Sequence, residues 1–455
     1  MWPLKTILYF TLFWVACVLS LINPIWGVVN YIMTYQMNPA DTWWGAPLVR
    51  LGIRFSMLAA MFALLGMVLG RKHARRIQPR ISLWEIGIVL LVIFAAIGMI
   101  QHPGHTPDSR YSFEKLWKMM FFVLLLARVT ATRENLRLVL WALTAGSLFI
   151  GYQAFTAPPS SFWLGRLELI GGPDFSSTSG AAAHLAAMLP LIGVVFLTTP
   201  RWRWRLAAVL AGALSFNAII LCRTRSAFVG MLFGILTAVV LAPRAKRFRI
   251  HALLAIGCLA AFSLTDPYFW TRMSTLTNPE TLHMDVAAAN RIEIWKTSLR
   301  IIQDQPFGVG PGNFPYVIAG YAPQFYRRSS HNTVLVCFTE LGIHGGVLFL
   351  GLVALSFWYL YRCVRLAAHS RRPVETSLIA YGCLVSAVTY FITGLGTERF
   401  YCESFWWVLT LPLCLYRTVL SEMPAEEETF VPVEGTQTTP WELPPPEPET
   451  GYEYA

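Results

Sequence analysis

The stretch SSHNTVLVCFTELGIHGG, residues 329–346, holds the side chains best suited to proton transfer. His331 and Asn332 precede a long apolar run, and Ser329 or Ser330 is expected to cap the helix that begins there. A histidine in the first helical turn meets the positive end of the helix dipole, which favours the neutral ring. His331 is therefore a candidate general base, with Asn332 orienting the ring or a bound hydroxyl. The alternative is a polar residue that only marks the start of a span.

The rest of this stretch and the turn-like segment before it predict structural roles. Glu340 is interpreted as a pairing partner inside the helical bundle. Gly342 and Gly346 are spaced four apart, which suits close helix packing. The segment GVGPGN, residues 308–313, resembles a phosphate loop in its glycines, but it follows a helical pattern and lacks the GK[ST] ending. We interpret it as a turn, and contact of its backbone amides with an anion is the alternative.

Arginine is the side chain that grips phosphate oxygens in bidentate fashion, and several arginines lie beside apolar runs. Arg225, in LCRTRSAF, and Arg166, in LGRLELIGG, are the first candidates for an anion site. Further candidates are Arg223, Arg291 and Arg399. For Arg327 and Arg328 we expect contact with lipid headgroups or ion pairs with neighbouring carboxylates.

Composition defines the elements that must position these side chains. Of the 455 residues 55% are hydrophobic and 13% are charged, with a mean hydropathy of +0.50, whereas soluble chains carry about 25% charged residues. The chain is therefore predicted to be an all-α polytopic membrane protein. Its apolar runs predict about twelve transmembrane helices, the tenth tilted or projecting, at residues 4–22, 50–69, 82–100, 113–129, 136–155, 176–198, 205–221, 226–242, 250–265, 331–361, 377–394 and 403–420.

Lys and Arg residues in the short connecting loops predict the orientation. With twelve spans, five basic segments fall on one face, which is predicted to be cytoplasmic together with both termini: 70–80, 128–137, 201–205, 243–249 and 361–372. The net charge of +11 resides largely in these loops, so it indicates topology and not nucleic-acid binding. The outer face then comprises residues 23–49, 101–112, 156–175, 222–225, 266–330 and 395–402, which include His331's neighbourhood and the candidate arginines.

Four regions are predicted: an N-terminal bundle at 1–265, an extracytoplasmic loop at 266–330, C-terminal helices at 331–420 and a disordered, acidic, proline-rich cytoplasmic tail at 421–455. Within the loop, Ile292, Trp295, Leu299 and Ile302 recur at helical spacing and predict an amphipathic helix that ends before Pro306. We expect this helix to lie against the membrane or to roof a cavity.

The eight cysteines form no C-x-x-C pair and are interpreted as packing residues. Cys222 and Cys402 both fall near the outer face, and whether they pair stays open. His, Cys and carboxylate residues show no metal-ligand spacing. We therefore predict no metal site and no cofactor.

Several of these segments together resemble the O-antigen ligase family. HNTVLVCFTELGIHGGV fits its H-N, nine residues, G-x-x-G signature, and RTRSAFVGML matches an arginine-containing start of a span, with Arg225 in register and Thr224 in place of serine. Two further segments are similar to it, RIEIWKTSLRIIQDQPFGVGPGNF and GRLELIGGPDFSSTSGAAAHLAAMLPL, although Phe175 replaces the usual polar residue. The N-terminal NPIWGVVNYIMTYQMNPADTWWG resembles a branch of exopolysaccharide-associated O-glycosylation ligases. The resemblance covers residues 20–420.

The resemblance implies a metal-independent glycosyltransferase of the bacterial inner membrane. Its donor would be a glycan on a polyprenyl pyrophosphate, and its acceptor a hydroxyl of a glycan, lipid or protein at the outer, periplasmic face. His331 would act as the base, Asn332 would contact substrate and arginines would hold the pyrophosphate. A lipid pyrophosphate is a good leaving group, so a glycosidase-type pair of carboxylic acids is unnecessary.

Two alternatives remain open from the residues. A repeat-unit polysaccharide polymerase of the same superfamily shares every motif named above. A polysaccharide or lipid-linked glycan transporter would also have many spans, but such proteins are built from internal repeats, and the two halves of this sequence show no convincing repeat.

Overall fold

A computed structural model describes residues 2–70, 80–102, 106–168, 170–172, 174–274 and 286–423. Most of these residues lie in α-helices, and the described strands are one pair of two residues each. The all-α prediction is therefore confirmed for this part of the chain. The predicted acidic tail, apart from residues 421–423, lies outside the described residues, as does most of the basic segment 70–80.

The N-terminal part of the described chain is helical apart from one small hairpin. Its helices are α1 (Leu4–Ile22), α2 (Ile25–Met37), α3 (Ala46–Val49), α4 (Phe55–Leu69), α5 (Leu83–Gln101), α6 (Pro107–Val129), α7 (Arg133–Phe155), α8 (Thr178–Thr198), α9 (Trp202–Cys222), α10 (Arg225–Val240) and α11 (Arg247–Leu264). Strands β1 (Phe162–Trp163) and β2 (Arg166–Leu167) pair antiparallel. Leu164 and Gly165 between them both have positive φ, as a tight two-residue hairpin turn requires.

The C-terminal part contains the outer segment, of which residues 266–274 and 286–330 are described, and then the last helices. They are α12 (Pro267–Ser274), α13 (Val286–Asp304), α14 (Phe314–Val317), α15 (Thr333–Glu340), α16 (Gly342–Leu366), α17 (Pro373–Gly394) and α18 (Glu403–Glu422). Single 3₁₀ turns lie at Pro39–Asp41, Trp43–Gly45, Pro159–Ser161, Arg244–Lys246, Ile318–Gly320, Pro323–Phe325 and Ala367–His369. One hydrophobic core runs through the bundle from α1 to α18.

Eight described helices are long and apolar enough to cross a membrane, which is fewer than the twelve predicted. They lie at Leu4–Ile22, Leu83–Gln101, Arg133–Phe155, Thr178–Thr198, Trp202–Cys222, Arg244–Leu264, Gly342–His369 and Pro373–Gly394. The other predicted positions are also helical. Two of them, α4 and α10, are shorter, while α6 and α18 carry charged residues near their ends.

Helix α2 lies where the sequence predicts an outer loop. It runs antiparallel to α1: the Tyr9 hydroxyl lies 3.0 Å from the Thr34 hydroxyl, and Asn30 donates to the carbonyl oxygen of Phe13 at 3.1 Å. Gly27 faces Ser20 so closely that a Cβ there would collide with it. The two helices therefore form a buried hairpin.

This hairpin corrects the predicted placement of the termini. Tyr9 and Thr34 lie at one level, and Tyr35, one residue on, bonds Asp174 near the predicted outer face. The Leu4 end of α1 is therefore at the outer end of the bundle, whereas α18 runs from Glu403 there to Glu422 at the other end. The prediction placed both termini on one side, because it omitted α2.

Ion pairs join the described basic loops at the opposite end of the bundle. Arg133 pairs with Glu422 at 2.6 Å, and Arg417 pairs with Glu85 at 2.6 Å. Lys246 and Arg372 line one small cavity there, together with the last turn of α8. Helix α8 has 21 residues, so this end lies about 30 Å from the N-terminus of α8.

The predicted tenth span is divided into α15 and α16. Gly342 has a φ of 73°, and a Cβ on it would collide with the backbone of Pro306 and Phe307. Gly346 lies against the ring of Phe338 in α15. Gly342 and Gly346 therefore allow a sharp break and close packing, whereas the sequence predicted packing alone.

The outer segment contains the predicted amphipathic helix as α13. It has a small core of its own, with Ile294 and Ile301 buried. Two residues of the predicted apolar face, Ile292 and Leu299, are 45% and 54% exposed, so they are not part of this core. The helix is apolar on two sides, and sequence spacing cannot tell which side packs against protein.

Candidate functional site

Five segments that are distant in sequence meet at the outer end of the bundle. They are 165–168, 174–180, 222–226, 329–333 and 394–403. Arg166 donates to the Thr178 hydroxyl at 2.7 Å, and Thr333 donates to the carbonyl oxygen of Thr397 at 3.2 Å. Gly396 lies so near Ser226 that a Cβ on the glycine would collide with it. The segments that contain His331, Arg166, Arg225 and Arg399 are therefore in one place.

His331 precedes helix α15 in a left-handed backbone conformation. Its φ is 52°, which is uncommon for a residue other than glycine. The cap is Asn332, whose Oδ1 accepts from the backbone N–H of Val334 at 3.0 Å and of Leu335 at 3.1 Å. The predicted serine cap and the predicted position of His331 inside the first turn are therefore wrong. The carbonyl oxygen of the Asn332 side chain has a structural partner.

Two hydroxyls hold the backbone around His331. Ser329 accepts from the N–H of His331 at 3.2 Å and donates to the half-buried Glu398 carboxylate. Ser330 accepts from the N–H of Asn332 at 3.1 Å. In addition, Trp295 of α13 donates to the carbonyl oxygen of Ser330 at 2.9 Å. The outer segment thus fixes the conformation of the loop that carries His331.

The ring of His331 is held neutral. Burial, then the guanidinium groups of Arg291, Arg328 and Arg399, lower its pKa from 6.5 to about 4. The cause differs from the helix dipole that the sequence suggested, although the favoured protonation state is the same. No hydrogen bond to another described residue is made by the ring nitrogens, so a ring nitrogen is available to accept a proton.

Arg399 is half-buried and bonds two neighbouring segments of the site. Its Nη1 donates to the carbonyl oxygen of Asp174 at 3.2 Å, and its backbone N–H donates to the Thr333 hydroxyl at 2.9 Å. Its Nε is buried without an acceptor among the described residues. A buried donor without a partner is costly, so this atom is suited to an oxygen from a bound molecule.

Asp174 is the centre of a second set of contacts. Its carboxylate accepts from Lys115 and Tyr35, and from the N–H of Glu403 at 3.3 Å. Burial by itself raises the pKa of Asp174, but Lys115, Tyr35 and Arg399 outweigh burial and hold that pKa below its usual range. Asp174 is therefore an ionised group that joins Lys115 to Arg399.

The remaining predicted arginines on this side divide into two groups. Arg166 and Arg225 are close enough that the charge of Arg225 lowers the pKa of Arg166, after the larger effect of burial. Arg223 bonds the Asp266 carboxylate and the carbonyl oxygen of Gly165. Arg223 therefore ties the α9–α10 turn to the hairpin and to the start of α12.

Arg327 and Arg328, for which a surface role was expected, are both exposed. The charge of Arg328 nevertheless reaches His331 and, after burial and Arg291, lowers its pKa. Arg327 is exposed and lies over the ring of Tyr316, 5.8 Å from the ring centre.

Glu340 binds the segment that resembles a phosphate loop. Its carboxylate accepts from the N–H of Gly312 at 2.8 Å, from the N–H of Phe314 at 3.4 Å and from the Tyr401 hydroxyl. Residues 308–313 are a turn, as predicted, whose amides bind a carboxylate of this same chain. Glu340 has the structural pairing role that was expected.

Sequence reasoning missed Lys115, Asp174 and Tyr35 as site residues. Lys115 lay within a predicted span, and a lysine inside a span is itself a signal of function. Asp174 stands in GGPD, beside the quoted arginine motif. Tyr35 lay in the unrecognised helix α2. Cys222 and Cys402, whose pairing was left open, are both free thiols.

Comparison with known proteins gives one family. The O-antigen ligase family matches residues 210–350, a range that contains Arg223, Arg225, Arg291, His331 and Asn332. None of the curated proteins matches the chain. The family implies a multi-pass bacterial membrane protein that transfers glycosyl groups from a lipid-linked glycan donor to an acceptor.

Proposed function

We propose that this chain, whose residues 210–350 match the O-antigen ligase family, transfers a glycan from a polyprenyl-pyrophosphate carrier to an acceptor hydroxyl. The observation that carries this proposal is the half-buried His331 on a loop that is joined to Arg399, whose backbone N–H donates to the Thr333 hydroxyl at 2.9 Å. The charges of Arg291, Arg328 and Arg399, after burial, lower the pKa of His331 and favour its neutral ring. A base next to an anion-binding group is what displacement of a pyrophosphate by a hydroxyl requires.

The reaction is a single displacement at the anomeric carbon. The acceptor oxygen forms a bond to that carbon while the bond between the carbon and the pyrophosphate oxygen breaks. The electron pair of the broken bond leaves with the pyrophosphate, and the acceptor proton passes to His331. Attack from the face opposite the leaving group inverts the anomeric configuration.

Arginines would stabilise the charge that grows on the leaving group. Arg399 has a buried Nε without a partner among the described residues. Arg166, in β2, bonds Thr178, the first residue of α8, and Arg225 is the first residue of α10. Guanidinium groups hold phosphate oxygens in bidentate fashion. Asn332 and Arg223 have structural partners and contribute to substrate binding less directly.

The proposed site faces away from the cytoplasm. The described basic loops lie at the end of the bundle opposite His331, and cytoplasmic loops of membrane proteins carry the excess of Lys and Arg. Nucleotide sugars are absent outside the cytoplasm, which favours a donor that arrives attached to lipid.

A pH profile tests the state of His331. Above about pH 4 its ring is neutral, so kcat/KM is expected to stay level from pH 7 to about 5 and to fall near pH 4. A bound pyrophosphate offsets the arginine charges and raises the pKa, so the acid limb of kcat is expected at higher pH than that of kcat/KM. An acid limb of kcat/KM near 6.5, the ordinary histidine value, would contradict the lowered pKa.

The same shift has a consequence for stability. The pKa of His331 is lower in the folded chain than in the unfolded chain, so the unfolded chain binds more protons between these values. Protonation of His331 in the unfolded chain is therefore expected to lower the free energy of unfolding as the pH falls from 6.5 to about 4. Above pH 6.5 no such effect is expected.

Product analysis tests the reaction itself. Purified chain in vesicles, supplied with lipid-linked glycan and acceptor, is expected to release polyprenyl pyrophosphate in a one-to-one ratio to new glycosidic bonds. Those bonds should have the anomeric configuration opposite to that of the donor. Retention of configuration would contradict the single displacement. Glycan that crosses the vesicle membrane without any new bond would indicate a transporter. A ladder of repeat lengths would identify the acceptor as a growing glycan.

A further inference from the structure

A small cavity opens at the end of the bundle opposite His331, where α8 ends and α17 begins. Its volume is about 340 Å³, which is at the lower end of the range typical of ligand-binding cavities. Lys246, from the 3₁₀ turn before α11, and Arg372, the residue before α17, both line it. The apolar part of the lining includes Leu197 and Val374. The cavity therefore combines positive charge with an apolar wall.

The surroundings of this cavity carry more cations than the described carboxylates pair. Glu375, the carboxylate in the lining, already accepts from Arg137 at 2.6 Å and lies 3.5 Å from Arg372. The adjoining basic segments 201–205 and 244–249 contain seven cations. None of the seven forms an ion pair with the carboxylate of a described residue. Positive charge therefore remains at this end of the bundle for another anionic group.

Helix α18 ends beside this cavity, and an acidic stretch of sequence follows it. Glu422, the last residue of α18, accepts from the backbone N–H of Arg371 at 3.2 Å. Arg371 in turn immediately precedes the cavity residue Arg372. Residues 424–455, which lie outside the described residues, contain eight glutamates and no Lys, Arg or His. The chain that follows Met423 therefore starts next to the edge of the cavity and carries the opposite charge.

The first part of the acidic stretch matches the cavity in its residue types and in its reach. EEETFVPVE, residues 426–434, has three glutamates followed by the apolar run FVPV. The glutamates suit the two cations of the cavity, and the apolar run suits its apolar wall. Residues 424–428 span up to about 17 Å when extended. The glutamates can thus reach a cavity whose edge adjoins the bond between Glu422 and Arg371.

We infer that residues 426–434 dock on this cavity, with the three glutamates against Lys246 and Arg372 and with Phe430 against the apolar wall. Ion pairs at a protein surface are weak one at a time. A segment tethered beside its binding site nevertheless has a high effective concentration there, so a few such pairs are sufficient. The inference concerns the end of the bundle opposite His331 and does not depend on the proposed function.

Docking gives α11 a second attachment to the bundle. Among the residues of α11 only Ile250 is buried, and it packs in a small cluster with Ala242 and Leu378. Lys246 lies just before this helix, whereas Arg372 lies just before α17. One acidic segment bound to both cations therefore joins the ends of two helices that otherwise meet in that small cluster.

The test couples carboxylates to amines that are in direct contact. A water-soluble carbodiimide joins a glutamate to a lysine without a spacer, and mass spectrometry identifies the joined residues. Full-length chain is placed in phosphatidylcholine nanodiscs that hold one chain each, so that coupling between two copies does not occur. Lys246 is expected to couple to a glutamate of residues 426–428. Tether length alone also favours the nearest glutamates, so a substitution must separate docking from proximity.

Arg372→Gln removes one cation from the cavity and leaves both coupling partners in place. It is expected to slow the coupling of Lys246 to residues 426–428 about threefold, as the loss of a surface ion pair does. Arg365→Gln is the matched control. Arg365 is also exposed, but it donates to the Tyr361 hydroxyl at 2.9 Å and does not line the cavity. Its substitution should leave the coupling rate unchanged.

Equal coupling rates in the unmodified chain, Arg372→Gln and Arg365→Gln would overturn the inference, because tether length alone would then explain the coupling. Absence of the coupling in the unmodified chain would overturn it as well. A third arm uses nanodiscs made of phosphatidylglycerol. Persistence of the coupling there would support docking, whereas its loss would show that the cavity holds anionic headgroups instead. No glycan or acceptor is present, so failure of the proposed reaction leaves these outcomes unchanged.

Discussion

Replacing His331 with alanine is expected to lower the rate of glycan transfer by about 10²–10⁴-fold, the range typical for loss of a general base. The ring is half-buried, and its nitrogens make no hydrogen bond to another described residue. Lipid-linked glycan should accumulate in cells that carry the variant, while the glycan product disappears. Transfer is measured in vesicles as polyprenyl pyrophosphate released per new glycosidic bond.

Two companion variants separate chemistry from folding. His331→Asn keeps a residue that tolerates the left-handed conformation but removes the base, so it should be as inactive as alanine and should fold normally. His344→Ala removes a histidine of α16 that packs against the ring of Phe94, and it should retain activity. Full transfer by His331→Asn would exclude the proposed base.

Arg399→Ala is expected to lower kcat by about 10²–10³-fold, comparable to the loss of one donor that stabilises transition-state charge. The side chain contributes a buried Nε without a partner and helps to keep His331 neutral. Its removal should therefore also raise the pKa of His331 and move the acid limb of kcat/KM to higher pH. A purely structural role for Arg399 would change stability without moving that limb.

The matched control is an arginine on the same face that lies outside the site. Arg327 is exposed and stacks over Tyr316, so Arg327→Ala is expected to leave kcat and the pH profile unchanged. Arg399→Lys keeps the positive charge but loses the planar guanidinium group. Its acid limb of kcat/KM should therefore lie close to that of the unmodified chain, whereas its kcat should stay low. Equal losses of kcat in Arg399→Ala and Arg327→Ala would show that positive charge on this face acts in a general way.

Sequence motifs were sufficient to predict which segments meet at the site. The stretches around Arg166, Arg225, His331 and Arg399 converge, because each follows or precedes a helix whose outer end is fixed by its length and by the basic loop at its other end. The sequence also predicted the neutral ring of His331, although for a reason that the structure replaces with burial and three arginines.

Helix α2 could not be predicted because polar residues interrupt its apolar run. Asn30 and Thr34 make NPIWGVVNYIMTYQM look like a loop, but in the structure they bond Phe13 and Tyr9 of α1. Such pairing depends on a neighbouring helix, so spacing within one segment does not reveal it. The missed helix in turn reversed the placement of the N-terminal end and concealed Tyr35.

The conformation of His331 was also decided by distant residues. SSHN offers three residues that commonly cap helices, and sequence alone does not rank them. Trp295, 35 residues away, holds the carbonyl oxygen of Ser330, which leaves Asn332 as the cap and His331 outside the helix. Lys115 and Asp174 likewise come together only because α6 packs near the loop before α8.

The contacts of Glu340 bear on whether the outer segment can exist by itself. Residues 286–325 have a small core, with Val309 and Phe314 among its members. Yet the turn that places these two residues donates its amides to Glu340 and to the carbonyl oxygen of Thr339, both at the end of α15, a helix of the bundle. Excised as a soluble fragment, the segment would lose the acceptors for those amides. It is thus an extension of the membrane bundle and not an independently folding unit.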